Sequence, residues 1–297
     1  MNPLVSLGIA ILELSTPGTV QVRHDLAYGP GDKGRFDVYA PKTLPAHAPV
    51  AVFLYGGSWQ SGAKSLYRFV GVALASRGVV TIIPDYRVYP EVRYPAFLQD
   101  NAKAVAFARR HAADWGADPG RLFLIGHSAG AYNAVMLATD PRWLKAEGLD
   151  SRRDIAGVYG LAGPYDFLPL RDPVLKTIFG PDDQLGDTQP INHVDGSAPP
   201  MRLVAGDRDT TVDPGNSLRM TAAVKAKGGV ASAQIYPGLG HVGLLTTLAG
   251  LFRGNAPVLE DVAGFVNGGP RDPAQVQAAT PGVLAPPSRP LSAGTPA

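Results

Sequence analysis

From Val50 onward the chain repeats one unit: a short, unbroken apolar run rich in β-branched residues, a loop, and a segment of helical length. Val50 to Tyr55, Val79 to Pro84, Arg121 to Ile125, Ile155 to Gly160, Met201 to Ala205 and Ala231 to Tyr236 read as strands, and Val20 to Tyr28 and Arg35 to Ala40 precede them. Helices are expected over Ser65 to Arg77, Tyr94 to Asp114, Ala129 to Thr139, Pro214 to Lys227 and Val258 to Val266. Strands that are apolar throughout, rather than alternating, must be covered on both faces, and crossover helices join parallel neighbours. The sequence therefore predicts an α/β fold, a mostly parallel eight-stranded sheet with helices on both faces. In such a sheet, side chains that do chemistry gather at the carboxyl ends of the strands.

Both ends of the chain depart from this pattern. In residues 1–19, Leu4, Leu7, Ile11 and Leu14 fall at the spacing of one face of an amphipathic helix. The stretch is shorter than the roughly 20 residues of a membrane-crossing helix, contains Glu13, and has no basic residue before Arg23 of the kind a secretory leader carries. We therefore expect no membrane span and a cytoplasmic location. Residues 268–297 hold seven prolines and no aromatic residue, and are expected to form a disordered tail. The catalytic domain is then 20–267, with 161–200 a small cap-like insertion.

Composition narrows the chemistry. The net charge is +2, with no long run of one sign, so a nucleic-acid surface is not expected and a small molecule is the better partner. Cysteine is absent, which removes disulfides, thiolate metal sites and a cysteine nucleophile.

A serine takes that place. After the strand Arg121 to Ile125 come Gly126, His127, Ser128, Ala129 and Gly130, and then a helix rich in small residues. This G-x-S-x-G sequence, between a strand and a helix, holds a serine on a sharp turn with its hydroxyl in the cleft. The helix start behind it offers the Ala129 amide and a positive dipole end to a developing oxyanion. A second loop, Gly56-Gly57-Ser58-Trp59, follows the strand that ends at Tyr55, and its successive small residues can turn N–H groups toward the same charge.

At Tyr55-Gly-Gly-Ser-Trp59-Gln-Ser-Gly62 the chain resembles the H-G-G-x-W loop of α/β-hydrolase-fold carboxylesterases and kynurenine formamidases. Asp85-Tyr-Arg87, Pro90, Tyr94-Pro95, Asp100 and Gly116-x-Asp118-Pro119 extend the likeness, which runs from about residue 35 to 266. The departure is Tyr55, where the family usually carries histidine, so the bracing of this loop must differ. The resemblance implies an oxyanion hole from the amides of Gly57, Ser58 and Ala129; Trp59, Tyr55 and Tyr132 are the candidates for the substrate pocket, with Trp59 and Tyr132 serving equally as local core.

A serine needs a histidine to take its proton and a carboxylate to orient that histidine. Of six histidines, His241 follows the last predicted strand, where the family places its base. His127 adjoins the nucleophile and is expected to point away and pack; His193 is the only serious competitor. After Met201 to Ala205, three carboxylates compete: Asp207, Asp209 and Asp213. The family spacing selects Asp209, leaves Asp207 second, and makes Asp213 the cap of the helix opening at Pro214. The order Ser128, Asp209, His241 is that of an α/β-hydrolase. His193 and Asp195 lack further ligands at metal spacing, so neither metal nor cofactor is expected.

The resemblance thus implies a serine hydrolase that cleaves short-chain or aryl carboxylic esters with water through an acyl-enzyme on Ser128. The alternatives are an arylformamidase acting on N-formylkynurenine-like amides and a non-catalytic receptor for a small ligand. Tyr165, Phe167, Leu168, Leu170 and Phe179 serve equally as an apolar pocket lining or as local core, and oligomeric state is not legible.

Overall fold

The computed structural model describes residues 18–268. The apolar N-terminal stretch and the proline-rich tail, with the expectations placed on them, lie outside the described residues except at their inner edges. Eight strands, β1 (Val20–Ala27), β2 (Arg35–Pro41), β3 (Pro49–Leu54), β4 (Val80–Pro84), β5 (Asp118–His127), β6 (Gly157–Leu161), β7 (Met201–Gly206) and β8 (Ala231–Tyr236), form one sheet in the order β1-β2-β4-β3-β5-β6-β7-β8. β2 runs antiparallel to β1 and β4, and every pairing from β4 across to β8 is parallel.

The helices among the described residues are α1 (Arg68–Ala75), α2 (Ala96–His111), α3 (Ala129–Thr139), α4 (Pro141–Ala146), α5 (Ser151–Asp154), α6 (Pro173–Phe179), α7 (Gly215–Ala226), α8 (His241–Thr246) and α9 (Val258–Gly268). β3, β4 and β6 are buried along their whole length, as their unbroken apolar sequences require. Successive side chains of a strand point to opposite faces. Ala51, Phe53, Phe123 and Ile125 accordingly pack with α1 and α9, whereas Val50, Val52, Leu54, Leu122 and Leu124 pack with α2, α3 and α7.

All eight expected strands are present within a few residues of their predicted bounds, and the five expected helices form around their predicted centres. The segment expected as one helix from Ser65 begins with a tighter turn over Lys64–Tyr67 before α1. The short helices α4, α5, α6 and α8 went unpredicted because one or two turns carry too little of the 3.6-residue period to stand out. Three of them open on a capping aspartate: Asp140, Asp150 and Asp172 accept hydrogen bonds from the amides of Arg142, Arg152 and Val174.

The junction of β3, β5 and α3 is the tightest place around the site. A Cβ on Gly126 would lie 2.2 Å from the carbonyl oxygen of Gly130, and one on Gly130 would lie 2.0 Å from that of Leu54. Backbone cannot yield there as a flexible side chain would. Gly130→Ala is therefore expected to destabilise the fold by about 1–3 kcal/mol or more, read as a lowered midpoint in thermal unfolding; an unchanged midpoint would refute this packing. Among the described residues no helix is long and apolar enough to cross a membrane.

Candidate active site

β5 carries the chain up to Ser128, whose φ of 55° and ψ of −122° lie in the left-handed half of backbone space that side-chain-bearing residues rarely occupy. Neighbouring backbone secures this turn. The Ser128 amide donates to the Leu161 carbonyl at the end of β6 (2.8 Å), and the Ser128 carbonyl accepts from the amides of Ala131 and Tyr132 (2.9 and 3.1 Å). Ala129 begins α3, so its N–H belongs to the first turn, which has no acceptor within the helix.

The other two residues arrive from neighbouring strand ends. Asp209 follows β7, and its Oδ1 accepts from the amides of Thr211 and Val212, both at 2.9 Å. His241 follows β8 and opens α8. Its Nδ1 lies 2.7 Å from Asp209 Oδ2, and its Nε2 lies 2.8 Å from Ser128 Oγ. An ionised carboxylate only accepts, so Nδ1 carries the hydrogen and Nε2 keeps its lone pair for the serine proton. The Asp209 side chain is wholly buried and that of His241 is 12% exposed, which keeps this chain of hydrogen bonds largely out of water. A hydroxyl, an imidazole and a carboxylate in this sequence can generate a nucleophile and then protonate a leaving group.

The competing carboxylates sit elsewhere. Asp207 is exposed and accepts from the Gly238 amide (2.7 Å), bracing the turn that leads to His241. Asp213 accepts from the amide of Gly215, the first residue of α7 (2.9 Å), and pairs with Arg219 (3.1 Å); the cap position itself is Pro214, one residue later than the sequence reading placed it. His193 bonds to the Asp187 carbonyl in the connection between β6 and β7. Among the described residues no three His, Asp or Glu side chains gather as metal ligands would.

The loop after β3 lies directly on the nucleophile turn. A Cβ on Gly56 would come within 3.0 Å of the Ser128 Cβ, and one on Gly57, at φ 138°, would lie 2.1 Å from the Ser61 carbonyl oxygen. Ser58 and Trp59 follow with positive φ of 53° and 56°, an unusual pair for residues with side chains.

Tyr55, expected in the pocket wall, has another place. It is fully buried, stacked between Tyr67 and Tyr86 (centroids at 5.4 and 4.5 Å), and its hydroxyl donates to Asp85 Oδ1 (3.0 Å). Tyr86 in turn donates to the Tyr55 carbonyl (2.6 Å). Burial raises the Tyr55 phenol far above its ordinary pKa, so it stays protonated and serves as a donor. Tyr55 thus braces the foot of the loop. A ring without accessible surface cannot wall a solvent-filled cleft.

The same correction applies to Tyr132, which is fully buried with its hydroxyl on the Thr188 carbonyl (2.7 Å). Trp59 is nearly so: its indole N–H donates to Asn133 Oδ1 (3.0 Å), and its ring meets Phe97, Tyr132, Phe167 and Phe179. Of the aromatic residues from the β6–β7 connection, Tyr165 and Phe179 are core. Leu168 is exposed and, with Pro169, Leu170, Lys176, Asp182, Leu185 and Gly186, lines an open cavity of about 440 Å³.

That connection is held at several points. Asn216 Oδ1 accepts from the amides of Tyr165 and Asp166 (2.9 and 2.8 Å), Gln189 Oε1 from Phe167 (2.9 Å), and Asp187 pairs with Arg142 of α4 (2.8 Å). The one pointer in the sequence to the bracing of the loop after β3 is Tyr55, where the family resemblance leads to the expectation of a histidine. His127, expected to pack, is buried, and its ring lies 4.9 Å from that of His241, a contact the sequence did not indicate.

Known proteins provide independent comparisons. Residues 36–224 match the family model described as BD-FAE. Isoprenylcysteine alpha-carbonyl methylesterase of Arabidopsis thaliana is 29% identical over 245 residues, 75% of this chain and 57% of that protein. Kynurenine formamidase of Salmo salar is 32% identical over 155 residues, 52% of this chain and 49% of its own. The matched part of the chain therefore spans about half the length of these curated relatives. Among solved structures, inhibited esterase B of Lactobacillus rhamnosis superposes with a TM-score of 0.74 at 18% identity, covering 93% of this chain and 96% of that one. This likeness establishes the shared α/β-hydrolase fold.

Proposed function

The chain belongs to the BD-FAE family, and from that premise we propose that it is a serine hydrolase that cleaves carboxylic esters of short acyl chains or aryl groups. The observation that carries this reading is the unbroken line from Ser128 Oγ to His241 Nε2 (2.8 Å) and from His241 Nδ1 to Asp209 Oδ2 (2.7 Å).

In the proposed reaction His241 Nε2 takes the Ser128 proton as Oγ bonds to the ester carbonyl carbon. The carbonyl electron pair moves onto oxygen, and the amides of Gly57, Ser58 and Ala129 receive that negative charge. Donors fixed in a dry site stabilise such a charge without reorganising, and each is worth about 10²- to 10³-fold in rate. The intermediate collapses, the carbon–oxygen bond to the alcohol breaks, and the alcohol leaves with the proton from His241. Water then repeats the sequence on the acyl-enzyme, with His241 again as base, and frees the acid and Ser128. Asp209 keeps His241 in the tautomer that both halves need.

The reading of short or flat acyl groups is supported by Trp59, whose ring beside the Gly57–Ser58 loop is buried against Phe97, Tyr132 and Phe179 and offers almost no exposed face to a long chain. Amide hydrolysis on N-formylkynurenine-like substrates is the second reading, favoured by the kynurenine formamidase relative. The test is kcat/KM for p-nitrophenyl acetate, butyrate and octanoate beside N-formylkynurenine, with Ser128→Ala as control. Turnover is expected to be fastest for acetate or butyrate and to fall at octanoate. Preference for N-formylkynurenine would select the second reading, and no turnover of either class would overturn the hydrolase.

A further inference from the structure

Resting on the hydrolase reading, we propose that His127 is a positioning residue for His241, its imidazole N–H holding the main chain of the residue that takes the serine proton. His127 ends β5, and its Nε2 lies 3.2 Å from the carbonyl oxygen of His241, across 114 residues of sequence. A carbonyl only accepts, so the hydrogen is on Nε2 and Nδ1 is bare. Nδ1 is buried without a hydrogen-bond partner and abuts the loop after β3, where a Cβ on Gly56 would lie 3.1 Å from it.

This environment has no place for a second proton. Protonating Nδ1 would bury an N–H without an acceptor beside the working imidazole, whose ring centroid is 4.9 Å away. Burial first, and the charge on His241 second, push the His127 pKa down to about 3. His127 therefore remains a neutral donor while His241 gains and loses its proton. It adds no repulsion to the imidazolium that forms during turnover.

His241 is then held twice: its ring by Asp209 and its main chain by His127. The second hold matters because His241 opens a helix of only six residues that follows Gly238 and Gly240. Such a short element has little rigidity of its own. The nucleophile strand thereby sets where its own base stands.

Two variants separate the donor from the ring. His127→Phe keeps a ring and loses the N–H, whereas His127→Gln carries a side-chain N–H near the position of imidazole Nε2. With p-nitrophenyl acetate, His127→Phe is expected to lower kcat per titrated active site by about 10- to 100-fold, the scale set by small misplacement of a catalytic group. KM should stay within about twofold, and labelling of Ser128 by a fluorophosphonate should slow in step, as an effect on the base requires. His127→Gln should recover most of both losses.

His127→Phe with unchanged kcat per site and only a lower melting temperature would reduce His127 to packing, and His127→Gln as slow as His127→Phe would refute the donor. If wild type neither hydrolyses the ester nor labels, the hydrolase reading falls and this role falls with it; an active wild type beside an equally active His127→Phe overturns the role alone. Nitrogen NMR of the wild-type histidines decides independently of folding in the variants. His127 should stay in the Nε2–H form from about pH 8 to about pH 5, and titration near the ordinary histidine value would overturn the proposal.

Discussion

Replacing Ser128 by alanine is expected to lower kcat toward p-nitrophenyl acetate by about 10⁴- to 10⁶-fold, with KM little changed. In the proposed mechanism the hydroxyl is the atom that attacks, and the lone pair of His241 Nε2, at 2.8 Å, takes its proton. His241→Ala should fall about as far, and the double variant hardly further, because the two side chains act as one device. What survives is the contribution of the oxyanion donors and of binding, about 10³- to 10⁴-fold over water. Initial rates with purified variants check this, and a Ser128→Ala protein within about tenfold of wild type would remove Ser128 from the mechanism.

The second large effect is expected at Asp209. Asp209→Asn should cost about 10⁴-fold in kcat while leaving the fold intact. The backbone explains why. Asp209 Oδ1 already accepts from the amides of Thr211 and Val212, so an asparagine would turn its carbonyl oxygen to them and its NH₂ toward His241. Imidazole Nδ1 would then have to accept, the hydrogen would move to Nε2, and no lone pair would remain for the Ser128 proton. Asp207→Asn provides the contrast: it weakens one bond to the Gly238 amide at the surface and should change kcat by less than about tenfold. A larger loss at Asp207 than at Asp209 would reverse the assignment.

The sheet and the residues at its strand ends were legible because they rest on local signals. An unbroken apolar run followed by a helix announces a parallel strand, and glycines on both sides of Ser128 announce the sharp turn. Distance along the chain hid the rest. Tyr55 is braced by Tyr67, Asp85 and Tyr86, partners that no local pattern joins to it.

His127 reads in the sequence as a packing residue beside Ser128. Its partner, the His241 carbonyl, lies 114 residues away along the chain, beyond the reach of any local pattern. For the apolar residues of the β6–β7 connection the sequence left pocket and core equally open, because a side chain filling a core and one at the surface read identically in one dimension. Burial separates the core residues Tyr165 and Phe179 from the exposed Leu168.

The backbone at Ser128 has a consequence for how such a chain evolves. A residue with a side chain held at φ 55° and ψ −122° costs on the order of 1–3 kcal/mol, a strain that glycine escapes. Selection for a robust fold and selection for a reactive hydroxyl therefore oppose each other at this one position. A lineage released from catalysis would gain stability by drifting to glycine there, since functional sites are commonly kept at the expense of stability. Serine rather than glycine at 128 is therefore what the proposed nucleophile role asks of this turn, at a cost in stability.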